Sequence, residues 1–263
     1  MRVPGIWKTA LLLAVVLAAG QAQAGRSCEA RKLTVETISR GLALAQRTAD
    51  ALDASGAQLV VLARAGQDLR KYGLQYSHLG FAYRTDAGWR VVHKLNQCGT
   101  SDAAVYRQGL GEFFLDDLWR EQAAWVVPVP AVQQRLAALL ADNRQAVALH
   151  HRPYSIVSYA WGTNYQQSNQ WAIETLAAAM APEASSRGKA QAWLQLQGYE
   201  PTALKLGPLT RLGARATAAN VAFDDHPDAK RFSDRIETVT VDSVFAWLQR
   251  SGLGAAPVVL ALP

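Results

Sequence analysis

Two histidines and a serine have the types and spacing to do chemistry together. His78 and His93 fall in two β-rich runs, 76–84 and 89–95, on either side of Thr85-Asp86-Ala87-Gly88, a polar, glycine-containing turn that predicts an antiparallel hairpin. A symmetric two- or four-residue turn pairs residues whose numbers sum to 173, which sets His93 opposite Gly80, one step from His78. Side chains alternate with period two, so His78, Gly80 and Ala82 share a face with Trp89, Val91 and His93. Diagonal neighbours there lie roughly 7–8 Å apart. A three-residue turn or a bulge would send His93 to the opposite face. Two imidazoles so placed could serve as a base and its orienter, His78 taking a proton and His93 fixing its tautomer. They could equally be two packed histidines.

Ser168 opens a strongly helical stretch, 168–180. A helix N-terminus stabilises developing negative charge, which suits an attacking hydroxyl and an oxyanion hole. It suits an N-cap equally well, worth about 1 kcal/mol with no catalytic role. Cys98, in Leu95-Asn96-Gln97-Cys98-Gly99-Thr100, is either a free nucleophile or half of a bridge with Cys28. Asp224-Asp225-His226-Pro227, with His150 and His151 elsewhere, hints at a metal. Adjacent carboxylates followed directly by histidine cannot all face one ion, however, and no His-x-x-x-His supports them. A solvated turn ending at Pro227 is expected, with no metal and no cofactor.

The chain that must position these residues has 263 of them, 27 Lys+Arg against 21 Asp+Glu, and is half apolar, which describes one ordinary globular domain. Disorder, collagen and a coiled coil are excluded. Two cysteines exclude a zinc or iron–sulfur site of four thiolates. Arg2 and Lys8, the apolar run 9–19 and Ala22-Gln23-Ala24 read as a signal peptide, 1–24, cleaved before Gly25. The mature chain, 25–263, is then periplasmic or secreted, has no transmembrane segment, and carries a net charge of +4 once Arg2 and Lys8 leave the formal +6. An oxidising compartment favours a Cys28–Cys98 disulfide, which would close a loop of about 70 residues for about 4 kcal/mol. No Lys/Arg cluster with interleaved aromatics suggests nucleic acid. A basic exported protein has a general bias towards acidic envelope polymers or a membrane face.

The apolar spacing Ile38, Leu42, Ala45, Ala49, Leu52 predicts a helix from Thr34 to Gly56, and Leu59 to Leu62 a buried strand before the hairpin. Val126-Val127 predicts a short strand, and Pro130 opens a helix carrying Val132, Leu136 and Leu139. A helix over 186–197 ends at Gly198, and a strand over 236–241 leads into a helix capped by Asp242 and closed at Gly252. Strands and helices mix without a βαβ rhythm, so the fold class is α+β.

The order His78-Leu79-Gly80 on a strand, His93 on the next, then Gln167-Ser168-Asn169-Gln170-Trp171 opening a helix, is similar to the permuted papain-like superfamily of lecithin retinol acyltransferase and bacterial cell-wall and lipid hydrolases. The resemblance implies a circularly permuted papain-like antiparallel sheet packed against helices. Ser168 falls at the family's cysteine position, Trp171 at its aromatic one, and His78 and His93 at its two histidines. It implies a hydrolase or acyltransferase of amide or ester bonds in the envelope, with Ser168 as nucleophile, His78 as base and His93 as orienter. The rival is a catalytically inactive envelope binding protein in which Ser168 caps its helix and the histidine face lines a recognition groove. Serine departs from the family's cysteine: its hydroxyl stays neutral, so a working Ser168 requires hydrogen-bond contact with His78. More closely, nearly the whole mature chain resembles a family of secreted proteins of Gram-negative bacteria known only as a domain of unknown function. The runs that carry this are 76–84, 92–99, 167–171 and Phe223-Asp224-Asp225-His226-Pro227, and they bring no activity with them.

Overall fold

The computed structural model describes residues 34–116 and 118–263, so the expected signal peptide and Cys28 lie outside the described residues. Helix α1 (Val35–Ala54) starts at Thr34, whose side chain accepts from the Thr37 N–H in a capping box. It buries Gly41, Leu44, Ala45, Thr48 and Leu52, and leaves Leu42 exposed, so the buried stripe is rotated from the expected one. Gly41 is the cause. A Cβ there would lie 2.9 Å from Leu115 Cδ2, so the closest helix contact is made by a residue with no side chain, which hydrophobic periodicity does not register.

Strand β1 (Leu59–Arg64) is buried at every position. Strands β2 (His78–Thr85) and β3 (Gly88–Asn96) form the hairpin, with Phe81 opposite Val92 and Thr85 opposite Gly88 around an Asp86-Ala87 turn. That is the register derived from the sequence. Next come β4 (Ala103–Gly109), α2 (Leu110–Leu115), β5 (Gln122–Val126), α3 (Pro130–Ala141) and α4 (Asn143–Ala146). Helix α3 begins at Pro130 as expected, but buries Leu140 rather than Leu139 beside Val132 and Leu136. Then follow α5 (Ser168–Met180), α6 (Arg187–Leu196), β6 (Thr202–Lys205), α7 (Pro208–Thr217), α8 (Asp228–Arg231), β7 (Arg235–Thr238), α9 (Val241–Arg250) and β8 (Val258–Ala261). Thr240, not Asp242, caps α9, accepting from the Ser243 N–H.

The main sheet runs β4-β3-β2-β1-β5-β8 with every pair antiparallel, which makes the molecule α+β as expected. Alternate residues of β1 face two different cores. Leu59, Val61 and Ala63 join Leu79, Phe81 and Val92 under α3, α5, α6 and α9. Val60 and Leu62 join Ala82, Val91 and Trp125 under α1 and α2. A third, smaller core centres on Leu204, Leu206, Ala214 and Ile236 of β6, α7 and β7.

Candidate functional site

His78 and His93 meet. His78 Nε2 and His93 Nδ1 are 2.8 Å apart, and His93 Nε2 lies 2.8 Å from Gln108 Oε1. With the amide oxygen accepting, His93 Nε2–H must donate to it, so His93 Nδ1 is the acceptor and His78 Nε2–H donates. Both tautomers are thereby set, and three of the four ring nitrogens are committed. Gly80 makes the contact possible: a Cβ there would fall 2.8 Å from His93 Cβ and 2.9 Å from Val92 O. The glycine of the His78-Leu79-Gly80 run is therefore space for a histidine ring.

The pair is roofed over. Phe113 of α2 packs on both rings, at 5.9 Å from His78 and 5.2 Å from His93 between centroids. The Arg64 guanidinium sits 4.8 Å over the same Phe113 ring and pairs with Asp116. Burial pushes the His78 imidazole well below its usual range and His93 down to about 4, with the Arg64 charge acting in the same direction. Both are neutral at pH 7. The expected recognition groove along this face does not form, because α2, absent from the sequence reading, covers it.

Ser168 lies in the other layer. Its helix packs Trp171, Ala172 and Leu176 against Leu79, Phe81 and Val92, whose side chains leave the sheet on the face opposite His78 and His93. Among the described residues no hydrogen bond joins Ser168 to either histidine. Its neighbour is the buried Tyr154 phenol, raised in pKa by burial and drawn back by the Ser168 hydroxyl and backbone N–H. Ser168 is not the helix cap either: Gln167 is, its Oε1 accepting from the Asn169 N–H at 3.1 Å. Gln167 has a longer reach than serine and also donates to Val239 O and to Thr238 Oγ1, which places it where a cap is needed.

Around Ser168 the run 166–170 forms a buried polar knot. Asn169 Oδ1 accepts from the Leu79 N–H at 3.1 Å, tying the helix start to β2. Gln170 accepts from Ser158 Oγ–H at 2.8 Å and donates to Tyr159 O and Ala160 O. Gln166 donates to Leu149 O and Glu174, and accepts from Lys94 Nζ and the His151 N–H, each at 2.9 Å. Glu174, fully buried, is held by Arg187 Nε at 2.8 Å and Gln191 Nε2 at 2.7 Å. Lys94, also fully buried, donates to His151 O at 2.6 Å. Burial, aided by the Arg187 charge, brings its ammonium down to about 6. Sequence reasoning passed over Lys94, Tyr154, Glu174 and Arg187. One signal was present: Glu174 is the lone charge in its helix and stands beside Trp171, Ile173 and Leu176, a pattern that asks for a buried partner.

The Asp224–Pro227 turn is solvated only in part: Asp224 and Pro227 are exposed, but the two side chains between them are not. The Asp225 and His226 side chains are 1% and 0% exposed, and His226 Nδ1–H donates to Asp225 Oδ1 at 2.8 Å. Asp225 Oδ2 accepts the Tyr159 N–H at 2.7 Å, and the Tyr159 and Phe223 rings flank the imidazole. The turn is a plug: its carboxylate satisfies a loop amide, which offsets the cost of burial. Cys98 follows β3 and is not a free thiol, while its expected partner Cys28 lies outside the described residues.

What the fold and this site define is an α+β protein whose most reactive side chains are bonded to one another in its interior. A family model described as an uncharacterized protein conserved in bacteria, DUF2145, matches residues 51–248, and the chain belongs to that family. Searches of curated proteins and of solved structures return no match.

Proposed function

We propose that this chain is a non-catalytic interaction protein of the cell envelope, exported through residues 1–24 and built on a scaffold of permuted papain-like order. One observation supports this above all: the side chains suited to acyl transfer are buried and held by separate interior partners rather than gathered at an open site. His78 donates to His93 and His93 to Gln108, while Ser168, 5% exposed, stands beside Tyr154 across the sheet. A serine nucleophile needs a base within hydrogen-bond reach of its hydroxyl, and neither histidine offers one. In this reading the 166–170 run anchors the irregular segment 147–167 to the sheet, and the His78–His93 pair seals α2 to it.

The rival hydrolase or acyltransferase reading makes an opposite prediction. The purified protein and Ser168→Ala are treated with a fluorophosphonate probe and offered ester and muropeptide panels. No labelling and no turnover are expected from either. Stoichiometric labelling of the parent, lost in Ser168→Ala, would overturn the proposal and make Ser168 the nucleophile.

A further inference from the structure

Helix α7 is turned inside out. Its buried side chains are Arg211 and Ala214, while Leu209 and Leu212 are 85% and 67% exposed. Leu209, Leu212 and Ala216 are spaced by three and four residues, so they form one stripe pointing away from the protein, with exposed Arg215 along its flank. A helix folded by burial alone would place its leucines inward, so this orientation asks for something outside.

The buried Arg211 explains how the stripe is held. Its guanidinium donates to Leu206 O at 2.9 Å and to Arg231 O at 2.7 Å, so one side chain fixes α7 to β6 and to the end of α8. Immediately after α8 comes Phe232, 78% exposed, with the Arg231 guanidinium 5.6 Å above its ring. Two carboxylates in this region are engaged, Asp234 with Lys205 and Glu237 with Lys230, while Asp224 and Asp228 are exposed and form no ion pair among the described residues. Arg215, Arg231 and Arg235 form no ion pair among the described residues. Three large exposed apolar side chains therefore stand among three arginines that form no ion pair, against two carboxylates likewise outside any ion pair, on a unit with its own small core.

We propose that the exposed face of α7, together with Phe232, docks on an anionic phospholipid membrane surface, leucines and phenylalanine entering the headgroup boundary and arginines meeting phosphates. Apolar groups in a cationic setting are the composition that an interfacial helix needs, whereas a neutral partner groove would leave the arginines without counter-charges. No helix among the described residues is long and apolar enough to cross a membrane, so the contact is peripheral. It does not depend on whether Ser168 reacts.

The test is flotation of the full mature chain with vesicles of phosphatidylethanolamine and 30% phosphatidylglycerol, against vesicles of phosphatidylcholine alone. Binding to the anionic vesicles is expected, weakened by 0.5 M salt and reduced at least tenfold in Leu209→Ser/Leu212→Ser. Arg215→Ala should weaken it about fivefold. Because all three side chains are exposed, thermal melting should confirm that each variant is folded. No flotation, equal binding by the leucine variant, or equal binding to both vesicle types overturns the proposal. A concentration-dependent dimer that the leucine variant abolishes, with no vesicle binding, would assign the stripe to self-association instead.

Discussion

At the scale of single residues, the His78–His93 pair ties stability to pH in a fixed direction. An unfolded imidazole titrates near 6.5, whereas His93 titrates at about 4 and His78 also lies well below its usual range in the folded protein. Between pH 6.5 and 4 the unfolded chain therefore binds protons that the native one refuses. The stability is fully present above pH 6.5 and is lost as pH falls through that window. Lys94, brought to about 6 from the usual lysine range, gives a slope of the same sign at higher pH: its contribution is lost as pH falls from the lysine range to about 6, before the histidine window is entered. Urea midpoints at pH 7.5 and 4.5 should show the drop, and His93→Gln should reduce it. A native-like fold with no pH dependence in this range would mean that the pair is solvated. Gly80→Ala is expected to cost about 1–3 kcal/mol, since its Cβ would meet both the His93 side chain and the Val92 carbonyl. Thermal melting of that variant checks it.

At the scale of elements, helix α5 carries both the part of the site that sequence could reveal and the part that it could not. Its limits, Ser168 and Met180, follow from periodicity, and the hairpin register follows from the symmetry of a two-residue turn; both are local properties. Which face α5 packs on is non-local. It depends on Trp171 meeting Phe81 and on Asn169 bonding the Leu79 amide, 90 positions earlier, so a serine and two histidines in the right chain order end on opposite sides of a sheet. Short elements were missed for a related reason. The six-residue α2 and four-residue β8 have too few turns or alternations to carry a period, yet α2 covers the histidines. Helix α5 also predicts a large effect: Glu174→Ala leaves the buried Arg187 without its carboxylate, and should cost about 3–5 kcal/mol. Glu174→Gln, which keeps one acceptor, should cost less. Equal losses in chemical denaturation would show that the carboxylate charge, absent from both variants, carries the whole effect and that the retained shape and acceptor add nothing.

For the whole molecule, composition sets the class and topology sets the rest. A continuous apolar run at Leu59–Leu62 reads correctly as a buried strand, and its place at the centre of six strands is what gives it two cores to serve. The third core, on β6, α7 and β7, is joined to the sheet layers mainly through loops and has fewer large side chains. Hydrogen exchange should therefore find amides of β1 and β2 opening only with global unfolding, and those of α7 opening earlier and locally. Protection in α7 equal to that in β1 would show the two to be one cooperative unit.

Strand β1 acts as a party wall. Val61 and Leu62 are successive residues of one backbone, yet each is the floor of a different room. A methyl group removed on one side lets the shared wall shift, and the packing on the other side registers the loss. Truncations at Val61 and Val60 should consequently couple in a double-mutant cycle although their side chains never touch, a non-additivity transmitted by a strand no thicker than its own hydrogen bonds.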